Sequence, residues 1–166
     1  VKNYAALNAF NKAIYKSLTT QVSRNDVSFV WGGDSSISIG AAMATKSIHP
    51  QSFILNISAR SGCHSPSTTQ TGYLNEMNIS TCLGDGLWHD FKMAKYYYFE
   101  VAILGTDDFS IEQQELEYVK GKSVKYYSIE SLIERGFKDV VDDVLKRFGH
   151  KPVHLNFDFS VIDSFV

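Results

Sequence analysis

The chain has 166 residues, 44% of them hydrophobic and 20% charged, with a formal net charge of −2. That is apolar matter enough for one core of ordinary globular composition. No basic block appears, which argues against nucleic-acid partners, and the longest apolar runs are far too short to cross a bilayer.

The opening residues lack a signal-peptide core. Cys63 and Cys82 match neither a disulfide framework nor a zinc ribbon. Two free thiols in a reducing, cytoplasmic setting are the expectation. Sequons at Asn56 and Asn78 are short enough to arise by chance and carry no weight.

Leu7, Phe10, Ile14 and Leu18 recur at near-helical spacing and predict an amphipathic helix. "VSFVW", Val27 to Trp31, predicts a buried strand running into Gly32 and Gly33. "SISIGAAMATK" suits a tightly packed helix, although its first residues alternate. "SFILNIS", Ser52 to Ser58, predicts a second buried strand, and a loop rich in Ser, Thr and Gly follows to about Ser80.

"YYYFEVAILG", Tyr96 to Gly105, predicts a third strand, aromatic and β-branched. A helix follows, with Ser110 as its candidate N-cap. "VKYYSIESLIERG" predicts a short strand and a helix capped by Ser128. Phe137, Val140, Val141, Val144, Leu145 and Phe148 form one apolar stripe of a helix that Gly149 stops. "PVHLNFDFSVID" predicts a last strand opened by Pro152.

Alternating strands and helices, with strands that are continuous apolar runs, predict an α/β fold with a parallel sheet. One domain, residues 1–166, is expected, lacking elements at both ends. Ligands of such sheets collect at the carboxyl ends of the strands. Those ends supply Asp34, Ser35 and Ser36; Ser58, Arg60 and Gly62; Thr106, Asp107 and Asp108; and Asp158, Ser160 and Asp163.

Three of these segments carry a family resemblance. "GGDSSISIG" is similar to the GGDHS-x-x-x-G motif of the arginase–agmatinase (ureohydrolase) family. "NISARSGCHSPSTTQTGYLNEMNIS" resembles its D-A-H-x-D segment with the Ser-Gly-Asn-x-His-Gly-Met continuation, and "HLNFDFSVID" its S-F-D-x-D-x-x-D-P strand end. The order and spacing hold over nearly the whole chain.

The resemblance implies a three-layer α/β/α fold with a central, mostly parallel sheet, and a homotrimer. It also implies two manganese ions bridging a hydroxide that attacks a guanidinium carbon. Laid on the motifs, the metal-ligand positions fall on Ser35, Ser58, Arg60, Gly62, Asp158 and Ser160. Asp158 alone keeps a ligand-type side chain. The proton-shuttling histidine falls on Asn75, while Asp107 and Glu112 survive in the substrate-side loop.

Hydroxyls are neutral, weak ligands for dications, glycine offers no side chain, and a guanidinium stays protonated. At about 4 Å and an effective dielectric near 20, each pair of like unit charges costs roughly 4 kcal/mol. The expectation is therefore a catalytically inactive member without a manganese cluster, serving a binding, regulatory or assembly role. Arg60 is expected to pair with Asp158, and Asp34, Arg60, Asn75, Asp107, Glu112 and Asp158 to line any small-molecule site. The alternative is a ureohydrolase acting on arginine or agmatine through residual or rearranged manganese binding.

Overall fold

The structure, a computed structural model, describes residues 1–85, 87, 99–109, 111–122 and 124–162. The chain divides into two compact units, Val1–Gln51 with Gly62–Phe99, and Ser52–Ser61 with Glu100–Val166.

The first unit is built on helices. Helix α1 spans Tyr4–Gln21, a 3-10 turn Ser35–Ile37 leads into α2, Ser38–Ile48, and a second 3-10 turn, Leu74–Glu76, precedes the short α3, Asn78–Cys82. Leu7, Ile14 and Leu18 are half-buried as the spacing predicts, but Phe10 faces solvent and Asn11 sits at the centre of the buried face. Asn11 Oδ1 accepts the Gly40 backbone N–H at 2.7 Å. That N–H belongs to the first turn of α2, where no intrahelical acceptor exists. A polar residue thus replaces an apolar one because it finishes a neighbouring helix. Ile39, Met43, Leu74 and Met77 form this unit's core, with Tyr4, Leu7 and Tyr15 packed against it.

Two expectations fail in this unit. Val27–Trp31 is assigned to no strand, and Val27, Phe29 and Trp31 are 84%, 92% and 85% exposed. A strand is buried only when neighbours flank it, and the described sheet contains no partner for this run. The loop from Ala59 holds as far as Tyr73, but its last residues, expected to stay loop to about Ser80, form the turn Leu74–Glu76 and the start of α3, all of whose residues are buried. Cys82 lies there, its thiol pushed up to about 12 by burial, and both cysteines are free.

The second unit is an α/β fold on a fully parallel sheet. Strands β1 (Phe53–Ile57), β2 (Glu100–Thr106), β3 (Lys125–Ser128) and β4 (Val153–Phe157) lie in the order β3-β2-β1-β4. Helices α4 (Gln113–Gly121), α5 (Ile129–Arg135) and α6 (Phe137–Phe148) connect β2, β3 and β4. Ser128 caps α5 by accepting the Ser131 N–H, as its position predicts. Helix α4 starts later than expected: Glu112 is its N-cap, in a reciprocal capping box with Glu115. Tyr96 to Tyr98, Ser110 and Asp163 lie outside the described residues.

The amphipathic α6 packs Val140, Val144 and Phe148 onto Phe53, Ala102, Leu104 and Tyr127 of the sheet. Phe148 stacks on Phe53 with ring centroids 4.7 Å apart. The buried stripe is narrower than predicted, since Phe137 and Leu145 stay exposed. Strands β1 and β2 are buried on both faces, whereas β4 alternates between half-buried and exposed. Asn56 of β1 is buried and accepts from Asn156 Nδ2 of β4 at 2.6 Å. Asn78 is also buried, so neither sequon presents its asparagine to a glycosylating enzyme in the folded chain.

Candidate functional site

The parallel sheet brings three of the strand-end groups to one end of the second unit. Past β1, Ser58 N–H donates to Leu104 O of β2 at 3.1 Å, and the Thr106 hydroxyl donates to Ser58 O at 3.4 Å. Past β2, Asp107 N–H donates to Ala59 O at 3.2 Å. Past β4, Asp158 N–H donates to Ile57 O at 2.9 Å. Gly105 allows this convergence to be tight. Its φ is +82°, and a Cβ there would stand 2.6 Å from Val161 Cγ2 in the turn after β4.

The side chains at these ends are largely committed to their own turns. Buried Ser58 accepts the Arg60 backbone N–H on Oγ at 3.1 Å. Asp158 caps the 3-10 turn Phe159–Val161 by accepting the Ser160 N–H at 2.9 Å. Asp107 accepts the Phe109 N–H at 2.9 Å, Asp108 accepts the Tyr126 hydroxyl at 2.8 Å, and Glu112 caps α4. Buried Glu115 accepts the Ser61 hydroxyl. Ser160 Oγ is buried and finds no partner among the described residues.

Arg60 departs from expectation. It is exposed and forms no ion pair among the described residues, with Asp158 or any other carboxylate. Water solvates a guanidinium fully at the rim of a turn, and an exposed pair gains little over that.

The remaining candidates belong to the first unit. Asp34 caps the turn Ser35–Ile37, its Oδ1 taking both the N–H and the hydroxyl of Ser36. Ser35 contributes a carbonyl to the Ser38 hydroxyl at 2.7 Å. Gly62 adopts φ +68°, and its carbonyl accepts the N–H groups of Ile79 and Ser80 at 3.0 and 3.1 Å. A Cβ at Gly62 would fall 2.0 Å from Asn78 Oδ1. Asn78 is itself held, donating Nδ2 to the Ser38 hydroxyl at 3.1 Å. Asn75 Oδ1 is buried with no partner among the described residues.

One residue of this region escapes the motif reading. Glu76 stands where the family motif carries glycine, and its Oε2 accepts the hydroxyls of Thr69 and Thr71 at 2.8 and 2.7 Å. His64, buried nearby, shares its Nδ1 with the Thr68 hydroxyl at 3.2 Å. The loop's hydroxyls are thus gathered internally. The signal was a charged residue, Glu76, at a position where the family motif carries glycine.

Among the described residues, no three His, Cys, Asp or Glu side chains form a group that could hold a metal ion. No helix among them is long and apolar enough to cross a membrane.

Known proteins agree with this architecture. The chain is 26% identical to Arginase-1 of Bos taurus over 145 residues, covering 82% of this chain and 45% of that protein. It is 25% identical to Arginase-1 of Mus musculus, covering 98% and 53%. The crystal structure of Bacillus subtilis arginase superposes with a TM-score of 0.87 at 22% identity, over 95% of this chain and 56% of that one. Formimidoylglutamase of the same organism superposes at 0.71 and 19% identity, over 87% and 43%. The chain spans about half the length of the curated relatives it matches. The sequence model of the arginase family matches residues 1–166, the whole chain, and the chain belongs to that family.

Proposed function

We propose that this chain is an arginase-family member without the family's manganese chemistry, serving a binding, regulatory or assembly role. The observation that carries this reading is the donor set at the motif positions. Two divalent ions need several carboxylates and imidazoles to offset their charge. The positions hold three hydroxyls, one exposed guanidinium, one glycine and a single carboxylate.

Gly62 strengthens the point, because a ligand there is prevented by space as well as by residue type. A side chain at that position collides with a fixed, hydrogen-bonded asparagine. Asp158 cannot compensate alone, since one of its oxygens already caps a turn. The residues present do not fit a two-ion centre, so no catalytic step is derived through one. In the first unit, Glu76 supplies the carboxylate that organises the Thr/Ser loop.

The test is metal content after equilibration with excess manganese, together with urea release from arginine and from agmatine. The expected result is no retained metal and no urea. Stoichiometric manganese with measurable urea would overturn the reading in favour of a rearranged catalytic site. The triple substitution Ser58→Asp, Arg60→His and Ser160→Asp tests whether the scaffold takes metal back at the sheet end. Metal without activity is the expected outcome, because Ser35, Gly62 and Asn75 stay unchanged.

A further inference from the structure

In the loop between Cys63 and Met77, three side chains meet at one point. Thr69 and Thr71 each have a single hydroxyl proton, and both protons are donated to Glu76 Oε2, at 2.8 and 2.7 Å. The two hydroxyl oxygens are fixed from behind. Thr69 Oγ1 accepts the Gly72 N–H at 2.9 Å, and Thr71 Oγ1 accepts the Tyr73 N–H at 3.1 Å. Each hydroxyl is thus an acceptor toward the backbone and a donor toward the same oxygen. Two donors that converge in this way suit an oxyanion, because hydrogen bonds to a charged acceptor are the strong kind.

The backbone that carries these hydroxyls is held by bonds in which the Glu76 side chain has no part. Ser65 O accepts the N–H groups of Thr68 and Thr69 at 3.1 and 3.0 Å. Gly72 O accepts the Lys2 N–H at 2.7 Å, and Lys2 Nζ lies 4.2 Å from the centre of the Tyr73 ring. His64 N–H donates to Glu76 O at 2.9 Å, and Glu76 N–H to Tyr73 O at 3.3 Å. Removing the Glu76 side chain therefore leaves the two hydroxyls on a fixed frame. Thr71 is exposed, so the place they point to is reached from solvent. Glu76 fills it from a position where the family motif carries glycine, which has no side chain to put there. None of the three residues falls on a metal-ligand position.

We propose that Thr69 and Thr71 form an oxyanion cradle, and that Glu76 is its built-in occupant, a tethered carboxylate that keeps free carboxylates out. Tethering gives the occupant an effective concentration on the order of millimolar or above, which a small free carboxylate must exceed to displace it. The occupant itself states the ligand class: a carboxylate offers an oxygen with lone pairs for both protons and the charge that strengthens both bonds. A carboxylate that merely braces the loop and one that occupies a cradle differ in one respect. Only the second is replaceable by a free ion once its tether is cut.

The experiment is chemical rescue of Glu76→Ala by sodium acetate at constant pH, with sodium chloride as the ionic-strength control. The melting temperature of the chain is read against acetate concentration. Glu76→Ala is expected to melt below the parent, and acetate to raise its midpoint saturably, by about 3 °C at tenfold the half-saturating concentration. The parent, with its cradle filled, is expected to respond to acetate no more than to chloride. Glu76→Gln, whose amide oxygen accepts the same two protons, is expected to behave like the parent. Adding Thr71→Val to Glu76→Ala removes one donor and is expected to raise the half-saturating concentration by about tenfold or more. Should Glu76→Ala be unfolded in chloride, folding on addition of acetate supports the proposal, and a chain that stays unfolded at every acetate concentration overturns it. An equal acetate response in parent and variant would also overturn it. So would a folded Glu76→Ala that ignores acetate, or a response indifferent to Thr71→Val.

Discussion

The turns that follow β1 and β4 carry two of the segments that resemble the family's motifs, and they are built in different ways. After β4 the difference is one of residue chemistry. Asp158 caps its own turn, and the Ser160 hydroxyl lies buried with no partner among the described residues. After β1 the difference is steric as well, since Gly62 sits at positive φ with the Asn78 carboxamide in the space a side chain would need. On the proposed reading, a ligand side chain after β4 calls for a change at Ser160 alone, whereas one at Gly62 also calls for a change at Asn78.

The largest expected effect is at Gly62. Gly62→Asp combines positive-φ strain with displacement of a hydrogen-bonded asparagine, and a loss of about 3 kcal/mol or more in urea unfolding is expected. Combining it with Asn78→Ala should recover part of that loss, because residues in contact are not additive. A parent-like unfolding curve for Gly62→Asp would erase the distinction between the two turns.

On the β4 side the next effect is one of pH. Burial holds His154 at about 4 in the folded chain, against an ordinary value near 6.5. Between those values the unfolded chain binds the extra proton and the folded one does not. Stability is therefore full above pH 6.5 and falls as the pH drops toward 4, by up to about 1.4 kcal/mol per pH unit from this group. Thermal melts across that window check it, and His154→Gln should flatten the slope.

Smaller and more diagnostic is the serine pair. Ser58→Ala removes an acceptor used by the Arg60 N–H and should cost about 1 kcal/mol, whereas Ser160→Ala removes a hydroxyl with no partner among the described residues and should be neutral or slightly stabilising. Equal costs in chemical denaturation would mean that Ser160 is bonded in solution. The smallest effect is expected for Arg60→Ala. With its side chain in water and no ion pair among the described residues, the change should stay within about 0.5 kcal/mol. A loss of several kcal/mol would restore the buried Arg60–Asp158 pair that the sequence suggests.

The strands β1, β2 and β3, the cap at Ser128 and the helix α6 were legible in the chain because each is specified locally. A run of β-branched residues, a side-chain oxygen before a helix and a 3.6-residue apolar period act over a few positions. The family motifs were legible for the same reason, being short runs at set spacing. Local pattern could not say that Asn11 rather than Phe10 faces inward, since that choice depends on a helix end supplied by residues far along the chain. Nor could it say that Val27–Trp31 would join no strand of the described sheet, since apolar residues define a strand only if one lies beside them.

By itself, then, the sequence determined the order of the sheet's strands and the helices between them, the parallel α/β class and the residue type at each motif position, because covalent identity and local periodicity suffice for those. Tertiary structure alone decided which positions have room for a side chain, which charges meet a partner and which strand ends the described sheet. Those are properties of distance between residues remote in the chain. Asn78 closing the space beside Gly62, and β4 at the end of the described sheet, are two consequences that no local pattern contains.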